Sequence, residues 1–288
     1  MSSVRQSFAL ATGRVEQLGW SAEATLHWLL RIACAMCFIG HGAWGVLTKA
    51  GWLPFYSVFG IGSAFAWKSM PFVGAFDIAL GLSALIRPTR AVLVYMTGWT
   101  IFTALLRPAA GMGWWEFLER GGNYGPPLAF ALVAGRAASS WFERIEPAPP
   151  PPERARVAAW VLRVSISLLL VGHGGFGLIQ EKKLLLTHWH ALGVPAGVTF
   201  LHVVGAVEIL SGVALLIHPW RALLLAIAYW KIATELLYPW SGTLRDTWEW
   251  IERGGDYLSP FALLILLALL DRETTNSSRS QDLVRPLG

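Results

Sequence analysis

Charged side chains are scarce in this chain. They make up 14% of its 288 residues, against about 25% in soluble domains. That shortage argues against an ordinary soluble globule. Cysteine occurs only twice, as Cys34 and Cys37 in C-A-M-C. A C-x-x-C spacing can carry redox chemistry, but no further cysteine is there to relay electrons, and two small core residues is the favoured reading. Catalytic signatures are also missing. There is no Walker loop, no G-x-G-x-x-G between a strand and a helix, no H-E-x-x-H and no nucleophile elbow, which disfavours hydrolases and nucleotide-driven pumps. No flavin, haem or metal motif is evident. The net charge is +5, yet Lys and Arg are dispersed along the flanks of apolar runs. The clustered basic patch of a nucleic-acid binder is absent, so no nucleic-acid partner is expected. Residues 1–23 are polar, and the apolar run after them is too long for a cleaved leader. It reads as an uncleaved signal anchor.

Apolar residues are what the chain has in abundance: 55% of the total, with a mean hydropathy of +0.49. Sixteen tryptophans accompany them, a side chain favoured at the membrane–water interface. The expected class is all-α, a polytopic membrane protein in contact with lipid. Eight apolar runs are legible, approximately Ala24–Leu47, Pro71–Ile86, Arg90–Leu106, Pro126–Phe142, Val157–Ile179, Val198–Ile217, Pro219–Tyr238 and Leu258–Leu270. The second, third, fourth and eighth fall short of the roughly 20 residues a span needs and must borrow from their flanks.

The segment EPAPPPPERAR, residues 146–156, is the one clear linker, because consecutive prolines favour polyproline II. It separates a first half, residues 1–145, from a second, residues 157–288. The halves are repeats. GHGAWG (40–45) matches GHGGFG (172–177), GAFDIALGLSALIRPTRA (74–91) matches GAVEILSGVALLIHPWRA (205–222), and WEFLERGGNY (115–124) matches WEWIERGGDY (248–257). Four spans per half keep both halves in one orientation, so parallel repeats are expected, as two four-helix bundles side by side. With the N-terminus inside, Arg5, Arg14, Arg87, Arg90, Arg136, Arg144, Arg154, Arg156, Arg221, Arg272, Arg279 and Arg285 fall on the cytoplasmic side. Eight cations fall outside: Lys49, Lys68, Arg107, Arg120, Lys182, Lys183, Arg245 and Arg253. That excess places both termini in the cytoplasm.

Ionisable groups inside spans are costly and mark sites by default. His41 and Asp77 each lie about six residues from the outer end of a span, roughly 9 Å deep. His173 and Glu208 repeat them. Lys231 and Glu235, spaced i,i+4 on one helix face, join the second set, where the first half has Thr100 and Ala104. A His beside a carboxylate can hold or move a proton near neutral pH; equally, such groups can act as a polar clasp between helices. Arg31 and Arg163 recur about ten residues before each His and are expected to snorkel to the cytoplasmic interface. His188 and His190 have an H-x-H spacing in a loop, with no third metal ligand fixed.

The charged repeat W-E-x-x-E-R is expected to form an interfacial helix. Glu116 is positioned to pair with Arg120, and Glu249 with Arg253. Gly121–Gly122 and Gly254–Gly255 are expected to end it in a left-handed cap, with Pro126–Pro127 and Pro260 in the first turn of the next span. Glu119 and Glu252 have no obvious i,i+4 partner within the motif, which makes them candidate ligand-binding residues together with His41 and Asp77.

The chain resembles the DoxX family of small four-helix membrane proteins, as a tandem duplication. The resemblance rests on G-H-G ending the first span of each half (Gly40–Gly42, Gly172–Gly174) and on an acidic residue in a Gly-rich second span (Asp77, Glu208). GHGGFGLIQEKK and HALGVP strengthen it in the second half. The first half departs in having Asp77 instead of Glu, and Val46–Leu47–Thr48 lacks a Lys often found after the His. Some members resemble the membrane subunit of thiosulfate:quinone oxidoreductase. The resemblance therefore implies a quinone-linked redox protein of the bacterial inner membrane. His173, Glu208, Lys231 and Glu235 would bind the quinone head and move protons, and partner subunits of a membrane redox complex would supply electrons. Two rival readings are a non-catalytic accessory subunit of a respiratory or photosynthetic complex, holding lipid, pigment or quinone, and a lipid or small-solute carrier.

Overall fold

The structure is a computed structural model that describes residues 21–134 and 140–284. Of the residues used above for orientation, Arg5, Arg14, Arg136 and Arg285 lie outside the described residues. Among the described residues, thirteen α-helices follow in order: α1 Ala22–Val46, α2 Leu53–Ser57, α3 Ser63–Ile86, α4 Arg90–Ala109, α5 Trp114–Glu119, α6 Gly121–Val133, α7 Pro152–Leu178, α8 Leu184–Ala191, α9 Val198–Ile217, α10 Arg221–Glu235, α11 Leu237–Ser241, α12 Thr247–Glu252 and α13 Gly254–Val284. No strand forms among the described residues.

Helix starts follow local chemistry. The Ser21 hydroxyl accepts from the Ala24 amide at 3.1 Å to open α1, and Thr89 accepts from Val92 to open α4. Each satisfies one of the free amides of a first turn. Pro152 opens α7, a position where its missing N–H costs nothing. The proline linker therefore ends in helix five residues before its expected boundary.

Among the described residues, seven helical segments are long and apolar enough to cross a membrane, which makes this an integral membrane protein. They are Ala22–Val46, Ser63–Ile86, Arg90–Ala109, Pro152–Leu178, Val198–Ile217, Arg221–Ser241 and Leu244–Thr275. The fourth apolar run behaves differently from the others. Its helix, α6, starts at Gly121 and ends at Val133 after 13 residues. At 1.5 Å per residue that is about 20 Å, short of the ~30 Å hydrocarbon thickness.

The helices divide by exposure. Helices α1, α7 and α13 are mostly buried, whereas less than a third of α3, α4 and α9 is buried. The exposed face of α9 carries Val203, Val207, Leu210 and Ile217 on one stripe, and α3 presents Phe65, Phe72 and Phe76. Such faces suit lipid, which is as apolar as they are.

The main core belongs to both halves at once. Leu30 and Phe38 of α1 pack in the same cluster as Phe130 of α6, Leu162 and Ile166 of α7, and Leu263 and Leu266 of α13. Helix α6 packs on α7 of the other half, and α13 packs on α1. The halves thus interlock through exchanged last helices and share a core. The equivalent pairs α1–α3 and α7–α9 make the closest packing within each half.

Glycine permits this packing at matched positions. A Cβ on Gly42 or Gly174 would run into the Gly74 or Gly205 carbonyl oxygen of its own half. A Cβ on Gly40 would overlap the Glu252 backbone nitrogen, and one on Gly172 the Glu119 nitrogen. In lipid, helix association rests on such close contact and on polar bonds. Each G-H-G therefore holds its His between the carboxylate helix of its own half and the charged helix of the other.

Candidate functional site

The expected His–carboxylate pairs form in both halves. His41 Nδ1 lies 2.8 Å from Asp77 Oδ2, and His173 Nδ1 lies 2.6 Å from Glu208 Oε2. Both carboxylates are buried, while the imidazoles keep an exposed edge. His41 also stacks on Trp52 with ring centroids 4.5 Å apart. In the second half the Trp230 indole donates to Glu208 Oε1 at 2.8 Å. The equivalent first-half atoms, Trp99 Nε1 and Asp77 Oδ1, are buried without a partner.

The charged repeat supplies a buried ion-pair network that crosses between the halves. Arg120 reaches Glu252 at 2.9 Å and Glu119 at 3.0 Å. Arg253 lies 3.6 Å from Glu119, 3.3 Å from Glu235 and 2.5 Å from Glu249. Glu235 continues to Lys231 at 2.6 Å. Lys49 also pairs with Glu249. So Glu252 meets the arginine of the other copy, and Glu119 lies between its own Arg120 and the Arg253 of the other copy. Burial alone would raise the Glu119 carboxyl; Arg120, Arg253, Arg107 and His173 outweigh it and hold the group down to about 2.

Several sequence expectations need correction here. Glu249 does pair with Arg253 at i,i+4, but Glu116 turns away from Arg120. It takes Arg107 at 3.0 Å and Lys182 at 2.7 Å instead. The Gly-Gly pairs do not form left-handed caps, since none of the four has positive φ. Gly121 and Gly254 begin α6 and α13, where any Cβ would strike Ser165 or Met36. Pro126, Pro127 and Pro260 consequently sit inside these helices, past their first turn.

Arg31 and Arg163 have a more specific role than snorkelling. Arg31 donates to the Ile86 carbonyl at 2.7 Å, and Arg163 to the Leu215 carbonyl at 2.7 Å. They cap the ends of α3 and α9, where carbonyls lack intrahelical donors and the helix dipole favours a cation. Each also covers a tryptophan, Trp28 or Trp160. Cys34 and Cys37 are free and buried in α1. His188 and His190 diverge: His188 Nδ1 meets Ser241 Oγ at 2.6 Å, and His190 Nε2 meets the Ala196 carbonyl at 2.6 Å. Among the described residues, no cluster of His, Cys, Asp and Glu fit for a metal forms. Burial pushes the His188 imidazole below its ordinary range, with Arg253 acting the same way.

The two halves differ most in their cavities. A cavity of about 190 Å³ opens beside His41. Its wall is aromatic (Trp52, Phe55, Tyr56, Phe59, Trp99 and Phe102), and Arg120, Asn123 and Glu252 form its polar end. The pocket beside His173 and Glu208 measures about 40 Å³. The size difference has a local cause. Thr100 and Ala104 line the larger cavity, where the second half carries the long side chains of Lys231 and Glu235. A third cavity of about 300 Å³ lies between the halves. Five cations (Lys49, Arg107, Arg120, Lys182 and Arg253) face it against three carboxylates, Glu116, Glu119 and Glu249. His188, placed in a loop by its sequence context, lines both this vestibule and the smaller pocket. The H-x-H spacing pointed to a metal, not to this position.

Comparisons with protein-family models, characterised proteins and solved structures return no match.

Proposed function

We propose that this is a DoxX-like inner-membrane protein of eight spans, arranged as two parallel four-helix repeats with both termini cytoplasmic, and that it serves quinone-linked redox chemistry. The observation that carries the proposal is the aromatic cavity of about 190 Å³ with His41 at its edge and Asp77 behind it. An apolar slot with a few convergent polar groups is the usual form of a small-ligand site. For scale, an apolar cavity of about 150 Å³ accommodates benzene.

Asp77 bonds the His41 ring through Nδ1 and fixes its orientation at the cavity edge, where its other nitrogen is free to exchange a proton with a ligand. His173 and Glu208 form the matching bond in the second half, where Glu208 also faces a lipid-side groove with Trp230. Lys231 and Glu235 connect that half to the central ion pairs. A bound quinone supplies an acceptor for two electrons and two protons. The cationic excess of the vestibule suits an anionic donor such as thiosulfate. Two thiosulfate ions can join through a new S–S bond, yielding tetrathionate and the two electrons required. A partner subunit is the other source of electrons.

The test is purification in mild detergent, identification of co-purifying molecules, and assay of quinone reduction with thiosulfate. Bound quinone and turnover that falls at least tenfold in Asp77→Asn or Glu208→Gln support the proposal. Stoichiometric recovery with a larger complex, without turnover, would instead make the chain an accessory subunit.

A further inference from the structure

The two copies of the charged repeat differ at one polar position, Asn123 against Asp256. The two side chains have different settings. Asp256 is 1% exposed, and its Oδ1 fills the place that a Cβ on Gly122 would take. Asn123 is 8% exposed and lines the cavity beside His41, and its carboxamide makes no hydrogen bond among the described residues. Asp77 Oδ1 and Trp99 Nε1 are sealed from any ligand, whereas the Asn123 amide is open to the cavity. Other polar groups at that end are already engaged: Arg120 by Glu119 and Glu252, and Arg107 by Glu116. Thr100 and Thr103 turn their hydroxyls back to carbonyls of their own helix. Buried polar groups ordinarily find partners, so an open amide among engaged groups points to a partner that enters the cavity.

We infer that Asn123 is a ligand-binding residue of the first-half cavity, and that its carboxamide holds an oxygen carried on the ligand's ring. A carboxamide offers two N–H donors and an acceptor oxygen. Its Nδ2–H donates to a quinone carbonyl, and its Oδ1 accepts from a quinol hydroxyl, so either oxidation state is held. The aromatic wall of Trp52, Phe55, Tyr56 and Phe102 takes the face of the ring. The second half lacks this arrangement. Its counterpart of Asn123 is the buried Asp256, Lys231 and Glu235 stand in place of Thr100 and Ala104, and its pocket measures about 40 Å³. Ring recognition therefore belongs to the first half. This inference rests on the proposed quinone-linked reading and adds the residue that recognises the ring oxygen.

The test measures binding to the full chain in lipid nanodiscs. The ligands are a dimethylbenzoquinone, its quinol kept reduced, and the tetramethylbenzene in which a methyl group replaces each oxygen. Wild type is expected to bind both oxygenated rings more tightly than the hydrocarbon. Asn123→Leu, close in size but without hydrogen-bonding groups, is expected to weaken quinone and quinol each by about fivefold. The hydrocarbon should bind it as it binds wild type. Asn123→Ala, which adds no bulk, is expected to show the same selective loss. Folding of each variant is checked by its size-exclusion profile and helical circular dichroism. Unchanged quinone affinity in the folded variants, or an equal loss for the hydrocarbon, overturns the inference while leaving quinone binding itself standing; water is then the partner of the Asn123 amide. Wild type that binds neither quinone nor quinol overturns the quinone-linked reading as well.

Discussion

Arg120 of the first half reaches Glu252 of the second at 2.9 Å, 132 residues away in the chain. Arg253 and Glu119, their repeat counterparts, face each other at 3.6 Å. The exchange is reciprocal, as in a two-fold interface where one patch meets its own copy. It joins the halves at the end of the molecule where both His–carboxylate pairs lie.

Removal of Arg120 should be severe. Arg120→Ala leaves the Glu119 and Glu252 carboxylates buried without their shared cation, and breaking a buried pair costs about 3–5 kcal/mol. Glu252→Gln keeps a polar partner in place and should cost less. Thermal unfolding in detergent, followed by helical circular dichroism, would rank the two; equal midpoints would contradict the network's role.

The first glycine of each G-H-G should tolerate no side chain. Gly40→Ala and Gly172→Ala force a methyl against the backbone of Glu252 and Glu119. Overpacking of this kind costs about 1–3 kcal/mol. Gly98→Ala, with nothing within 4 Å of the added methyl, is the matched control. Loss of folded protein in Gly98→Ala but not in the other two would reverse the packing argument.

Stability should fall on acidification through a defined window. Glu119 is held down to about 2 in the folded state, against about 4.3 for a free Glu. A depressed carboxylate contributes its full stabilisation above the unfolded value, and loses it as pH drops toward the folded one. The contribution of Glu119 should therefore be complete above about pH 5 and fade between about pH 4.3 and 2. Glu119→Gln should flatten that part of the profile, measured as unfolding midpoint against pH.

Both thiols should be inert in the folded protein. Cys34 and Cys37 are 1% and 3% exposed, and reactivity requires access as well as thiolate. A maleimide probe should label neither until the chain is unfolded. Cys34→Ala/Cys37→Ala should retain any turnover; loss of turnover with the fold preserved would return the pair to the redox chemistry.

How much of this was legible depended on the reach of each signal. Hydropathy marks the helices because a span must bury its own backbone polar groups, a local requirement. It misplaced α6, because the Gly121–Gly122 pair reads as a helix end when only its own neighbours are known. The structure shows those glycines meeting Ser165 and Asp256 of the other half. Repeat alignment put His41 with Asp77 and His173 with Glu208 because each pair sits at one depth on adjoining helices. The same alignment could flag Glu119 and Glu252 as partnerless but had no means of joining them.

The sequence by itself determined an apolar, helical, duplicated chain and the residue types at its two sites. Composition, period and repeat are properties of one strand of chain, and the membrane enforces them locally. The tertiary structure decided which copy of each motif meets which, because that depends on helices exchanged across the shared core. It also decided that the halves are unequal. Thr100 and Ala104, in place of Lys231 and Glu235, leave an aromatic cavity open in the first half where the second is nearly closed.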